Sequence, residues 1–276
     1  MNMKMLSYID RPSPIQKMTG ASKLLCLILW SVTGMTTYDT RILLVMLIIG
    51  AIVFRLSKVK FREISFALAF ILFFLVMNDL AIYAFAPGQG QSIYGTSHII
   101  LHLPGWYTLT WEQLFYEFNI TLKYIAILPF ALVFIVTTQP SEFAASLTKI
   151  GVSYRIAYSV SITLRYIPDI QREYREISLA QQSRGIDLSR KAKLSQRISH
   201  ASAILIPLIF SSIDRIETIS NGMELRGFGK KKKRTWYSAR SFADSDYLAV
   251  VFSALIFVAS IFLGFYQGSR YFNPFK

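Results

Sequence analysis

Cysteine, acidic residues and nucleotide-binding motifs are scarce or missing in this sequence. Its one cysteine, Cys26, lies in an apolar run, so a disulfide framework within the chain is excluded and a reduced or intramembrane position is indicated. No G-x-x-x-x-G-K-[ST] or G-x-S-x-G segment occurs in the 276 residues. The sequence therefore predicts neither an ATP site nor a hydrolytic nucleophile of its own, and we expect no catalytic residue and no metal site.

The composition is apolar and basic. Hydrophobic residues make up 53% of the chain, the mean hydropathy is +0.40, and 30 Lys and Arg against 16 Asp and Glu give a net charge of +14. These values are typical of a membrane protein with a basic, water-facing part. Nucleic acid is excluded as a partner, because nucleic-acid-binding proteins do not carry apolar runs of about 20 residues.

The apolar runs predict about five transmembrane helices. The clearest run is Ile64 to Ala86, and two others are Phe115 to Thr138 and Tyr247 to Tyr266. Two shorter runs, Leu24 to Met35 and Ile42 to Phe54, either cross the bilayer with help from their flanking residues or form one re-entrant hairpin. The predicted fold class is an all-α integral membrane protein with a cytoplasmic domain of amphipathic helices inserted before the last span.

Three segments follow from these runs. Residues 1–138 form an N-terminal membrane domain with about four spans, residues 139–234 form a cytoplasmic domain of amphipathic helices, and residues 235–276 hold the last span and a tail. The middle segment is too polar to cross a bilayer.

The distribution of Lys and Arg predicts the orientation. Residues 1–23 and 55–62 hold four each, whereas the turn between the two short runs has only Arg41 and the loop 87–113 has none. The positive-inside rule places the first two segments, and with them the domain of amphipathic helices, in the cytoplasm.

Within the polar segment, two helical runs end alike, in Ser183-Arg184-Gly185 and Leu225-Arg226-Gly227. Apolar residues recur every three or four positions along each run, which predicts amphipathic helices. Pro168 and Pro207 stand at the start of the apolar stripes, where proline is tolerated in a first helical turn, so we expect each helix to begin there.

The repeated arginine indicates a docking point. Guanidinium offers a rigid fork of donors that matches a carboxylate, and the glycine after it lets the backbone turn and a partner approach closely. Arg-Gly is also an ordinary way for a helix to stop. Two copies in one polar segment favour the docking interpretation.

Charged residues elsewhere have simpler interpretations. Asp79 and Lys123 lie within predicted spans at depths that differ by about one helical turn, so we predict that they pair. Asp169 and Glu173 are interleaved with arginines, which indicates a solvated or partner-facing charged surface instead of a metal site.

Several segments resemble the transmembrane (T) component of energy-coupling factor (ECF) transporters, the EcfT/CbiQ-like family. The likeness is strongest at Thr137-Thr138-Gln139-Pro140, Leu164-Arg165-Tyr166-Ile167-Pro168, Ala180-Gln181-Gln182-Ser183-Arg184-Gly185 and Met223-Glu224-Leu225-Arg226-Gly227-Phe228. It covers nearly the whole chain. The family often has Ala or Glu before the arginine, where this chain has Ser183 and Leu225.

The resemblance implies a function in a prokaryotic plasma membrane. The chain would be a non-enzymatic scaffold of an ABC-type importer for a vitamin or a metal such as cobalt or nickel. Its partners would be two ABC ATPase subunits, which bind the ATP, and a membrane-embedded substrate-binding (S) subunit. Arg184 and Arg226 would be the ATPase-coupling residues, and the chain itself would need no cofactor.

Two other classes stay open on the sequence alone. An intramembrane lipid-modifying enzyme would need a carboxylate or histidine constellation at the headgroup layer. A self-sufficient secondary carrier usually has inverted hydrophobic repeats with broken spans, and the duplicated element here is polar instead.

Overall fold

The computed structural model describes residues 13–102, 107–186, 194–231, 235–237, 240–266 and 269–275, apart from the side chains of residues 62, 63, 102 and 194–197. The helices are α1 Pro14–Lys17, α2 Gly20–Thr36, α3 Thr40–Leu56, α4 Phe61–Phe85, α5 Gln89–Tyr94, α6 Trp111–Thr137, α7 Pro140–Lys149, α8 Tyr154–Ser183, α9 Leu194–Leu225 and α10 Asp244–Tyr266, and the strands are β1 Ile99–His102 and β2 Thr108–Thr110.

The chain divides into two compact units. The first, which we call the membrane unit, comprises Met1–Ser146 together with Ala239–Lys276, and the second, the helix-pair unit, comprises Leu147–Ser238. The all-α membrane class predicted above is confirmed. Three helices are long and apolar enough to cross a bilayer, namely α4 over Ile64–Phe85, α6 and α10.

The two shorter apolar runs are the helices α2 and α3, each of 17 residues. At 1.5 Å per residue each is about 26 Å long, slightly less than the hydrocarbon thickness of a bilayer. Asp39 ends the turn between them by accepting a hydrogen bond from the Arg41 amide at 3.0 Å. The carboxylate also pairs with the Arg41 side chain at 2.8 Å.

Helix α6 is the central helix of the membrane unit. Half of the most apolar 18-residue stretch of α6 is buried inside the protein, whereas only 11% of the corresponding stretch is buried in α4 and in α10. Leu122, Ala126 and Phe130 of α6 join a core with Trp30 of α2 and Leu43 of α3. The rings of Trp30 and Phe130 stack with centroids 4.1 Å apart. The helices α4 and α10 are therefore left with broad apolar faces for lipid or for another membrane protein.

The predicted loop 87–113 contains structure that the sequence interpretation did not include. Helix α5 and the antiparallel strands β1 and β2 lie within it. The fully buried carboxylate of Glu112 organises this segment. It accepts hydrogen bonds from the His98 amide at 3.0 Å and from the Thr96 hydroxyl at 2.9 Å, and it contacts His98 Nδ1 at 2.6 Å.

Asp246, in the first turn of α10, ties that helix to the start of α2. Its carboxylate is fully buried. Oδ1 accepts hydrogen bonds from the Thr19 amide at 2.9 Å and from the Ser22 hydroxyl at 2.6 Å, and Oδ2 accepts one from the Ala243 amide at 2.9 Å. One side chain thus satisfies donors from two chain segments that are more than 220 residues apart.

We expect Asp246→Asn to destabilise the protein, because an amide cannot accept all three of these hydrogen bonds as a carboxylate does. The loss should be about 1–3 kcal/mol, the range for a buried group left without a partner. Thermal unfolding of the purified protein in detergent measures it. The control is Asp244→Asn, since Asp244 is exposed in the same helical turn. Equal destabilisation by both variants would show that the buried contacts are unimportant.

Candidate functional site

Helix α8 begins fourteen residues before the predicted proline. Its first residue is Tyr154, and the Ser153 hydroxyl caps it by accepting a hydrogen bond from the Ile156 amide at 3.5 Å. Pro168 and Pro207 both lie inside their helices, so the prediction that each proline opens a helix is wrong. Each helix continues through its proline although the missing N–H leaves one carbonyl without its intrahelical partner.

Helices α8 and α9 run antiparallel in the helix-pair unit. Gln181 near the end of α8 donates a hydrogen bond to the carbonyl of Ala203 at 3.0 Å. Towards the other end, the ring of Tyr158 lies 4.9 Å from that of Phe228, centroid to centroid. Residues late in α8 therefore contact residues early in α9, and residues early in α8 contact the segment that follows α9.

An ion pair joins the two helices between those contacts. Arg215 Nη2 of α9 lies 2.8 Å from Glu173 Oε2 of α8, and the Ser211 hydroxyl donates to Glu173 Oε1. The guanidinium of Arg215 also lies 5.6 Å from the centroid of the Tyr166 ring. Glu173 is therefore an interhelical partner, whereas Asp169 makes a local pair with Arg172 at 3.5 Å, as a residue on a solvated surface would.

Helix α8 ends in a hydrogen-bonded C-cap around Gly185. The Gly185 amide donates to the carbonyl of Gln182 at 2.9 Å, and the Ile186 amide donates to the carbonyl of Gln181 at 3.1 Å. These two bonds define a Schellman motif, which satisfies carbonyls that a helix end otherwise leaves unpaired. Gly185 has φ of +88°, a left-handed conformation that favours glycine.

Helix α9 ends in the same way. The Gly227 amide donates to the carbonyl of Glu224 at 2.8 Å, the Phe228 amide donates to the carbonyl of Met223 at 2.9 Å, and Gly227 has φ of +65°. The two sequence copies therefore fold into two copies of one backbone structure. We call them the arginine ends, the first being Ser183-Arg184-Gly185 and the second Leu225-Arg226-Gly227.

The arginine ends face solvent. Ser183, Arg184 and Gly185 are all exposed, as are Leu225 and Arg226, whereas Gly227 is half-buried. The guanidinium of Arg184 has no hydrogen-bond or ion-pair partner among the residues that the structure describes. An exposed guanidinium beside a tight turn can receive a carboxylate bidentately without displacing an internal partner.

The antiparallel arrangement sets the two arginine ends apart. Arg184 follows Glu173 by 11 residues in α8, and Arg226 follows Arg215 by 11 residues in α9. Because the helices run in opposite directions from the ion pair, 22 residues separate the ends along the pair. This separation corresponds to about 33 Å at the usual helical rise. It is too large for the two arginines to bind one small ligand together, but it fits two protein docking points.

Large apolar side chains are exposed along both helices of this unit. They include Ile167 and Tyr174 on α8 and Ile209, Ile213 and Ile216 on α9, with 44–62% of each residue accessible. Exposed apolar side chains that recur at helical spacing along one side of a helix usually mark an interaction site. We call these five residues the apolar face.

The structure does not bring Asp79 and Lys123 together. Asp79 Oδ2 accepts a hydrogen bond from the Thr121 hydroxyl at 2.7 Å, whereas Lys123 Nζ donates to the carbonyl of Met35 at 3.0 Å and lies 3.8 Å from the centroid of the Tyr38 ring. The predicted pair is corrected to two separate contacts. Residues two apart on a helix do not face the same side, so Thr121 and Lys123 of α6 meet different neighbours.

A family model described as CbiQ, cobalt transport protein, matches residues 10–237, which include both arginine ends. No curated protein matches the chain. Within the part of the chain that the structure describes, no three His, Cys, Asp or Glu side chains are grouped as metal ligands.

We expect Gly185→Ala to loosen the first arginine end and Gly227→Ala the second. A Cβ at left-handed φ costs about 1–2 kcal/mol, or about a 5- to 30-fold increase in the open population of that end. Hydrogen exchange of the Ile186 and Phe228 amides reports it directly.

The matched control is Gly222→Ala in α9, where an added Cβ meets nothing within 4 Å. This change should stabilise the helix interior and leave the exchange of the Phe228 amide no faster. Unchanged exchange in both end variants would mean that the ends do not depend on the left-handed glycine.

Proposed function

Because the chain belongs to the CbiQ family of cobalt transport proteins and is a membrane component of a transport system, we propose that it is the energy-coupling subunit of an ECF-type ABC importer in a prokaryotic plasma membrane. In this proposal it is a scaffold with no catalytic site, and two separate ATPase subunits bind and hydrolyse the ATP. The transported substrate is a vitamin or a metal ion, and the description of the family names cobalt.

The observation that carries the proposal is the pair of arginine ends. Arg184 and Arg226 follow the same helix-end geometry, are both exposed, and lie about 33 Å apart at opposite ends of one helix pair. Two equivalent docking points at that spacing suit two copies of one partner. A pair of ATPase subunits presents the same groove twice, so each subunit receives one arginine end through carboxylates that bind the guanidinium.

Motion of the two ATPases would act on the helix pair through these two points. When the nucleotide-binding subunits close on ATP, their grooves approach each other and displace the arginine ends with them. Helices are stiff over this length, so the displacement reaches the apolar face that lies along them. There it would move a membrane-embedded substrate-binding subunit and open its binding site towards the cytoplasm.

In this proposal the membrane orientation of the chain is the one that the positive-inside rule predicts. The N-terminus and the helix-pair unit face the cytoplasm, where ATP and the ATPases are. The poorly covered faces of α4 and α10 in the membrane unit would contact the lipid bilayer or the substrate-binding subunit.

Charge reversal at the arginine ends tests the coupling role. Arg184→Glu and Arg226→Glu should each remove one ATPase docking point and weaken binding about 10- to 100-fold, the value of a charge-assisted hydrogen bond. The double variant should lose both subunits in a detergent pull-down and should lose ATP-dependent uptake. The control is Arg175→Glu, since Arg175 is also an exposed arginine on α8. Unchanged ATPase binding in the double variant would refute the proposal.

Polar substitution on the apolar face tests the second docking surface. Ile209→Ser together with Ile216→Ser should release the substrate-binding subunit while ATPase binding is retained, because the arginine ends are unaltered. Co-purification of each partner with the tagged chain separates these outcomes. Glu217→Gln, at an exposed position beside Ile216, is the control and should retain both partners. Retention of the substrate-binding subunit by the serine variant would assign its docking to another surface.

A further inference from the structure

We infer that Glu173 and Arg215 are positioning residues that fix the distance between the two arginine ends. The effect of this distance on ATPase binding rests on the proposed function. The two side chains form an ion pair that joins α8 to α9, with 2.8 Å between Glu173 Oε2 and Arg215 Nη2. The Ser211 hydroxyl occupies the other carboxylate oxygen. The carboxylate is thus held by two side chains of α9, one helical turn apart.

The position of the pair in the sequence repeat supports this role. Glu173 and Arg215 are 42 residues apart, and so are Arg184 and Arg226. Counted back from the arginines, the two residues of the ion pair therefore occupy equivalent positions, 11 residues before each arginine. In an antiparallel pair of helices, a contact between equivalent positions lies at the midpoint, and each arginine end is the same distance from it.

The surroundings of the pair explain why a polar contact is needed there. Many of the large apolar residues on both helices are exposed to solvent instead of being packed between them, as the apolar face illustrates. Apolar contacts are non-directional, so they do not by themselves stop one helix from sliding along the other. An ion pair with a second hydrogen bond is directional and selects one alignment of α8 against α9.

A fixed distance matters for a partner that is gripped at two points. When two docking points engage one ATPase dimer, the second contact forms at an effective concentration set by how well the spacing is held. If α8 and α9 slide or splay, that effective concentration falls although each arginine end is intact. Loss of the ion pair should therefore weaken two-point binding and leave one-point binding unchanged.

Distances between spin labels test the first part without any partner. Labels at Ser183→Cys and Leu225→Cys, in a chain carrying Cys26→Ala, occupy equivalent exposed positions in the two ends. Wild type should give one narrow distribution centred between about 30 and 45 Å, once label length is included. Glu173→Gln and Arg215→Gln should each broaden it at least twofold, and the exchange of charges in Glu173→Arg with Arg215→Glu should narrow it again.

The controls are Glu176→Gln and Arg175→Gln, which remove the same charges from exposed positions on α8. The inference is overturned if the Glu173 and Arg215 variants keep the narrow distribution, or if the controls broaden it as much. It is also overturned if the charge exchange fails to restore the width, because the pairing of opposite charges would then not be responsible.

Binding to a purified ATPase dimer, held closed with a non-hydrolysable ATP analogue, tests the second part. Glu173→Gln should weaken apparent affinity about tenfold when both arginine ends are present, as expected for a loss of two-point binding. In an Arg226→Glu background, where one end remains, Glu173→Gln should change nothing. A general structural defect would weaken ATPase binding both with two arginine ends and in the Arg226→Glu background. If no ATPase binds wild type, the proposed function fails, and the label distances still decide the role of the ion pair.

Discussion

The contact between Glu173 and Arg215 joins the two long helices of the helix-pair unit between the contacts at their ends. Its two side chains are 18% and 33% exposed, so it is neither a fully solvated pair nor a buried one. Solvated ion pairs contribute about 0–1 kcal/mol to the free energy of folding. The directionality of the Glu173–Arg215 pair is more important here than its energy, because this pair and the hydrogen bond from Gln181 to the Ala203 carbonyl are directional contacts that select one alignment of the two helices.

The membrane unit is organised by a different kind of polar contact. Its central helix α6 is packed on several sides by apolar residues, whereas α10 is mostly uncovered. The first turn of α10 is held by the buried carboxylate of Asp246, and its middle is held by the hydrogen bond from Trp30 Nε1 to the Ser253 hydroxyl at 2.9 Å. Where apolar packing is sparse, a small number of hydrogen bonds determine the position of the helix.

The sequence predicted those features that depend on local pattern. Apolar runs located the three long spans, and the repeated Arg-Gly located two helix ends that have the same backbone geometry.

Prediction from the sequence failed where tertiary contacts override a local rule. Proline also occurs inside long helices, so the interpretation of Pro168 and Pro207 as helix starts placed both starts too late in the chain. The depth of Asp79 and Lys123 in their spans was a poor guide to pairing, because depth says nothing about which side of α6 each neighbour occupies. The partners of Glu173 and Asp246 depend on which helices are adjacent, and the sequence does not contain that information in any local pattern.

The ion pair between equivalent repeat positions also bears on how such a repeat arises. In two identical copies, the residue at this position would meet its own counterpart across the antiparallel contact. Two glutamates or two arginines would then repel each other. The contact seen between Glu173 and Arg215 therefore requires that the two copies differ there, with one acidic and one basic. The two helices are therefore complementary in charge at this position, as two different subunits of an obligate heterodimer are. Neither copy can be replaced by the other without bringing like charges together at the centre of the unit.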